Sequence, residues 1–217
     1  MEVEPDERWA NTEPGDMLVG RDRSTRRTAE PVRTRFARFL GAHMRQPVLP
    51  RGADGERVTG WWLGRLPEGW HVINDVPVGD AGPNIDHLVI GPPGVIAINT
   101  KNLTGKVWVG PKSVLHNRRR TDFLANASAG AREASRLLSA TMGRPVEVRG
   151  AIAIICDDWT VKQRPAEVYV DATRGVKDWM LRQPAILRPH EVNELVAAAS
   201  RPRTWIEARL DPGAART

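Results

Sequence analysis

The chain has 217 residues, a hydrophobic content of 41%, a formal charge of +6 and a pI near 10.2. Its length suits one domain of roughly 150–170 residues with tails, and its composition is that of an ordinary globular protein. A single cysteine, Cys156, excludes an internal disulfide. There is no Cys/His spacing for zinc, and no run approaches the ~18 apolar residues of a membrane helix.

The first residues, Met1 to Glu7, are acidic and lack an apolar signal core, so a cytoplasmic location is the expectation. Residues 1–30 are charged and broken by prolines, which predicts a disordered or loosely held segment with a basic patch at Arg21–Arg27. Phe36, Phe39, Leu40 and Met44 recur at helical spacing and predict a short amphipathic helix over 32–45. Residues 1–50 are thus read as an N-terminal segment, 51–205 as the domain and 206–217 as a loose tail.

A core helix is expected over 54–66, with Val58, Trp61, Trp62 and Leu66 as its buried stripe and Pro67 at its end. The Trp61-Trp62 pair suits either a core position or a base-stacking platform, and helical spacing favours the core. Residues 70–78 read as a first strand, with His71, Asn74 and Asp75 interspersed.

The next stretch is the most informative. Residues 84–101 form two Val/Ile-rich runs around Gly91-Pro92-Pro93-Gly94, too short for helices and bounded by turn residues. Centring the turn between Pro92 and Pro93 puts Asp86 opposite Asn99, with Cβ atoms roughly 4.5–5.5 Å apart. Lys101 then shares their face, and His87 points the other way as a packed or hydrogen-bonded histidine. A slip of one residue would separate the pair. Polar groups that end two buried strands have to be satisfied, and a metal site is one way to do so.

Residues 105–109 read as a continuation of the last strand or a further strand, and 111–121, with Arg118-Arg119-Arg120, as a loop that either meets a phosphodiester backbone or is simply solvated. The Ala-rich stretch 126–142 predicts a helix, on which Glu133 is a weaker candidate acid. Residues 146–156 predict a central strand burying Cys156. Asp157-Asp158 is expected in a turn after it. A strand over 166–170, a short helix to Leu181 capped by Asp171 or Thr173, and a helix over 190–199 complete the chain. Strands alternating with helices predict an α/β fold with a central mixed sheet of four to six strands flanked by helices.

The ordered set Gly55-Glu56, Ile85-Asp86-His87, Gly91-Pro92-Pro93-Gly94-Val95 and Asn99-Thr100-Lys101-Asn102, ending at Gly105, resembles the nuclease-related domain family. That family is similar to the PD-(D/E)xK nucleases, so the resemblance implies a restriction-endonuclease-like core. It also implies site roles. Asp86 matches the central metal ligand, Glu56 the acid on the preceding helix and Lys101 the motif lysine. The backbone carbonyl of Thr100 matches a further ligand. Asn99 stands where the nuclease pattern carries Asp or Glu.

Phosphodiester hydrolysis needs an activated water and stabilised negative charge, which carboxylate-bound Mg²⁺ or Mn²⁺ and a nearby lysine supply. An Asn carbonyl can ligate such an ion but brings no charge. The leading expectation is therefore a metal-dependent phosphodiesterase acting on nucleic acid, with DNA ahead of RNA. A protein partner in DNA processing is a further expectation, and no membrane is involved. Arg far outnumbers Lys and suits bidentate phosphate contacts. Two alternatives stand beside it. One is a catalytically degenerate nucleic-acid-binding module, because Asn99 replaces the acid. The other is a protein-interaction domain without nucleic acid.

Overall fold

The computed structural model describes residues 51–78 and 84–206. The expected N-terminal segment with its helix over 32–45, the Arg21–Arg27 patch and nearly all of the C-terminal tail lie outside the described residues.

The first helix, α1 (Arg51–Leu63), leads into strands β1 (His71–Val76), β2 (Ile85–Gly91), β3 (Gly94–Asn102), β4 (Lys106–Val109), β5 (Val114–His116) and β6 (Arg119–Arg120). Helix α2 (Phe123–Met142), strands β7 (Val148–Ile155), β8 (Asp158–Val161) and β9 (Val168–Ala172), and helices α3 (Thr173–Leu181), α4 (Pro189–Ala199) and α5 (Pro202–Ile206) follow. The main sheet is mixed, in the order β1-β2-β3-β7-β9, with antiparallel pairing across β1, β2 and β3 and parallel pairing across β3, β7 and β9.

Alternation along β2 and β3 sorts their side chains onto two cores. Leu88, Ile90, Val95 and Ala97 meet Ala134 and Leu138 of α2 and Leu195 of α4. Val89, Ile96 and Ile98 meet Leu63 of α1 and Met180 of α3. Burying each large side chain contributes about 1.5–3 kcal/mol, so these two faces fix the register of the hairpin.

A second, four-stranded sheet, ordered β6-β5-β4-β8, has no counterpart in the sequence pattern. It arises because β3 continues past a bend into β4 while β7 continues into β8, and both pairs run parallel. The bend is held by the Leu103 N–H donating to the Ile155 carbonyl at 2.9 Å.

Several local expectations are corrected. Residues 111–121 form the β5–β6 hairpin, not a plain loop. Asp158 opens a strand instead of sitting in a turn, and it pairs with Lys106 at 3.6 Å. Cys156 lies past the end of β7, half-exposed, with its Sγ donating to the Gly105 carbonyl. Neither Asp171 nor Thr173 is the N-cap of α3. That position is Ala172, and the Asp171 carboxylate takes Arg164, the Tyr169 hydroxyl and the Ala172 N–H.

The stripe of α1 also differs. Gly55, Thr59 and Leu63 are its buried positions, spaced by four, while Trp61 and Trp62 are half-buried. Cations roof both rings, with Arg65 over Trp61 and Arg174 and Lys177 over Trp62. Gly55 permits this close seating, because a Cβ there would stand 2.8 Å from the Asn102 Cβ and 3.2 Å from the Thr100 Cγ2.

Candidate metal centre at the open end of the hairpin

The β2–β3 ladder runs from Gly91–Gly94 to His87–Ile98, in the register that centres the turn between Pro92 and Pro93. One step further on, Asp86 and Asn99 face each other on the side of the sheet that carries Leu88 and Ala97, and Lys101 follows on that side. Here backbone pairing gives way to side chains. The Thr100 N–H donates to Asp86 Oδ2 at 2.6 Å, and Asn99 Nδ2 donates to the Asn84 carbonyl at 3.1 Å. The two strands therefore end in a fork with the Asp86 carboxylate set into it. In an extended strand the N–H and C=O of one residue point the same way, so the Thr100 carbonyl also faces the fork.

On the opposite face, Thr100 Oγ1 donates to Thr59 Oγ1 at 2.9 Å and fastens β3 to α1. His87 is fully buried there, with Nδ1 2.7 Å from Asn74 Oδ1. Burial lowers its pKa to about 4, with the Glu56 backbone opposing, so it is a neutral packed residue. Glu56, on α1, is close enough to feel the charges of Asp86, Asp75 and Lys101.

The electrostatics join these groups. Burial raises the Glu56 carboxyl to about 7, with Asp86 and Asp75 adding to the rise and Lys101 opposing it. Burial also raises Asp86, against the Thr100 N–H and Lys101, which favour its charged form. Glu56, Asp75, Asp86 and Lys101 thus act on one another. Lys101 Nζ lies 5.6 Å from the Phe123 ring at the start of α2. Glu133 is not among them, because Arg136 binds both of its oxygens at 2.6 and 2.9 Å and lowers its pKa.

Asp75 belongs to no part of the motif, yet the fold brings it to the site. It falls between the Asn74–His87 and Val76–Ile85 pairs, opposite Asp86 in the ladder, and only 6% of it is exposed. Like charges in such positions are destabilising. Its backbone is left-handed, at φ +54°, which costs an L-residue about 1–2 kcal/mol. An acid inside a strand, next to Asn74, is the only signal of it in the sequence.

Among the described residues, no group of three or more His, Cys, Asp or Glu side chains is drawn together closely enough to cage a metal ion. Mg²⁺ does not require such a cage, since it is commonly held by one or two carboxylates with water and substrate phosphate completing its shell. Coupled carboxylates with raised pKa values, beside a carbonyl turned into the fork, fit such an ion.

The mixed sheet flanked by helices is consistent with a nuclease-like fold. Residues 51–155 match the family model of the nuclease-related domain, which supports the resemblance to that family. No curated protein and no solved structure matches the chain. Among the described residues, no helix is long and apolar enough to cross a membrane.

Proposed function

We propose that the domain is a metal-dependent phosphodiesterase acting on DNA. The observation that carries this reading is the gathering of Glu56, Asp75, Asp86 and Lys101, where burial, with Asp86 and Asp75 adding to it against Lys101, raises Glu56 to about 7. Half-buried carboxylates that resist ionisation together are short of positive charge, and a divalent cation supplies it. Asp86 and Glu56 would hold the ion with the Thr100 carbonyl, and Asp75 would add charge from β1. When bound, Mg²⁺ or Mn²⁺ neutralises the phosphate and acidifies a water.

The chain's own residues do the rest. The Thr100 N–H fixes the Asp86 carboxylate through Oδ2. Lys101, on the same side of β3, orients the attacking water or stabilises the charge that develops on the phosphate. The surplus of arginine supports an anionic polymer as substrate.

One observation favours a second reading, a nucleic-acid-binding module without chemistry. The Asn99 amide is used to close the hairpin through Asn84, at the position where the nuclease pattern carries an acid. A cleavage assay separates the two. Purified full-length protein is incubated with single-stranded, duplex and branched DNA in Mg²⁺ or Mn²⁺, with Asp86→Ala and a chelator as controls. The hydrolytic reading predicts metal-dependent cutting that both controls abolish. Salt-sensitive binding without cutting would support the binding module. Neither binding nor cutting would leave the interaction-domain reading.

A further inference from the structure

Arg118, Arg119 and Arg120 are consecutive, all exposed, and lie on the β5–β6 hairpin. Its tip is Asn117-Arg118, between the paired residues His116 and Arg119, and both tip residues have positive φ, 50° and 68°. This is a two-residue turn of the I′ kind, whose second position ordinarily goes to glycine. An arginine in the left-handed region costs about 1–2 kcal/mol of backbone strain. Among the described residues, no ion pair or hydrogen bond engages the three guanidinium groups.

The hairpin is not a loose solvated loop. The Asn117 N–H donates to the Lys106 carbonyl at 2.8 Å, and the Lys106 N–H donates to Asn117 Oδ1 at 2.9 Å. His116 Nε2 donates to the Thr104 carbonyl at 2.7 Å, and Asn117 Nδ2 donates to the same oxygen at 3.4 Å. Gly105, at φ +86°, makes the seat possible, since a Cβ there would fall 2.3 Å from Asn117 Oδ1. At the other end, the Thr121 N–H and hydroxyl both donate to the Val114 carbonyl.

The fastening points matter because of where they lie. Residues 104–106 follow directly on Lys101 and Asn102 at the exit of β3. Phe123, three residues past Arg120, is the ring against which Lys101 lies. Both ends of the arginine segment are therefore tied to the neighbourhood of the candidate metal centre.

We infer that this hairpin is a preformed clamp for the phosphate backbone of duplex nucleic acid running past the fork. Guanidinium forks match phosphate oxygens bidentately. Successive residues of a strand project to opposite faces, so Arg119 and Arg120 flank the ribbon while Arg118 occupies its tip. A ribbon already fastened by hydrogen bonds to its neighbours loses little freedom on binding. The clamp rests on the nucleic-acid part of the proposed function and not on hydrolysis.

The test measures binding of a fluorescein-labelled duplex to the full chain in chelator, by anisotropy across a range of salt concentrations. The Asp86→Ala background removes cutting from the measurement. Replacing all three arginines by alanine is expected to weaken binding at least about tenfold at about 0.1 M salt. The salt slope should fall by about 0.9 for each phosphate that is no longer neutralised, or about 2–3 in total. The triple lysine variant keeps the charge and should retain most of the slope. Matching thermal melts of the variants establish that they fold. An alanine triple that binds with the affinity and slope of its parent would overturn the clamp. Wild-type protein that binds through the hairpin but does not cut DNA in Mg²⁺ or Mn²⁺ would leave the clamp standing and remove the hydrolytic reading.

Discussion

Replacing Glu56 with glutamine tests the electrostatics of the fork. In the metal-free protein the Glu56 carboxyl titrates at about 7, against 4.5 for the free side chain. Between these values the folded state holds a proton that the unfolded state has released. Stability is therefore full below about pH 4.5 and falls as the pH rises through 7. At 1.36 kcal/mol per pKa unit the loss is capped at about 3 kcal/mol. Glu56 is only half-buried, and solvent screening reduces this to about 1–2 kcal/mol.

At about 2–4 °C per kcal/mol for a chain of this size, the wild type should lose roughly 3–6 °C between pH 5 and pH 8 relative to Glu56→Gln. Thermal melts of both proteins in chelator, across that pH range, measure the difference. The two should coincide near pH 5, and the variant should be the more stable at pH 8. Mn²⁺ should restore the wild type at pH 8 and do much less for the variant. Melting curves that stay parallel across the range would refute the claim that Glu56 carries a suppressed charge.

Three further outcomes follow from neighbouring residues. Asp75→Asn keeps a residue that tolerates the left-handed backbone but removes the charge facing Asp86. It should raise metal-free stability at pH 8 by about 0.5–1 kcal/mol and weaken Mn²⁺ binding, both read by melts with and without the ion. Asn99→Asp places an acid across from Asp86. It should lower metal-free stability by about 1 kcal/mol and strengthen Mn²⁺ binding several-fold, and unchanged binding would remove Asn99 from the site. Gly55→Ala gains about 1 kcal/mol of helix propensity, against about 1–3 kcal/mol for overpacking on Asn102 and Thr100. A net loss in chemical denaturation is expected, because the Asn102 Cβ cannot rotate away.

The hairpin is legible in the sequence because two independent signals agree there. The Gly-Pro-Pro-Gly turn sets the register, and the alternating apolar residues leave only one register that buries Leu88, Val89, Ile96 and Ala97 on their proper faces. Asp86, Asn99 and Lys101 inherit their positions from that register. Three features are not legible, each for a physical reason. The second sheet depends on the bends after β3 and β7, which are tertiary contacts and not a local pattern. Asp75 joins the site only through strand pairing with β2 and an unusual φ. The α1 tryptophans have core spacing, yet cations from Arg65 and from α3 cover them and the true buried stripe is Gly55, Thr59 and Leu63. Small residues carry no hydrophobic signal, so a helix seated closely through glycine and threonine is easily misphased.

The central claim is that the fork holds one divalent cation through Asp86 and Glu56. Mn²⁺ binding followed by electron paramagnetic resonance, on the wild type and on Asp86→Ala, tests it most directly. One saturable site in the wild type, lost or weakened at least about tenfold in the variant, is the predicted result. No saturable site, or equal binding by the two proteins, would contradict the account.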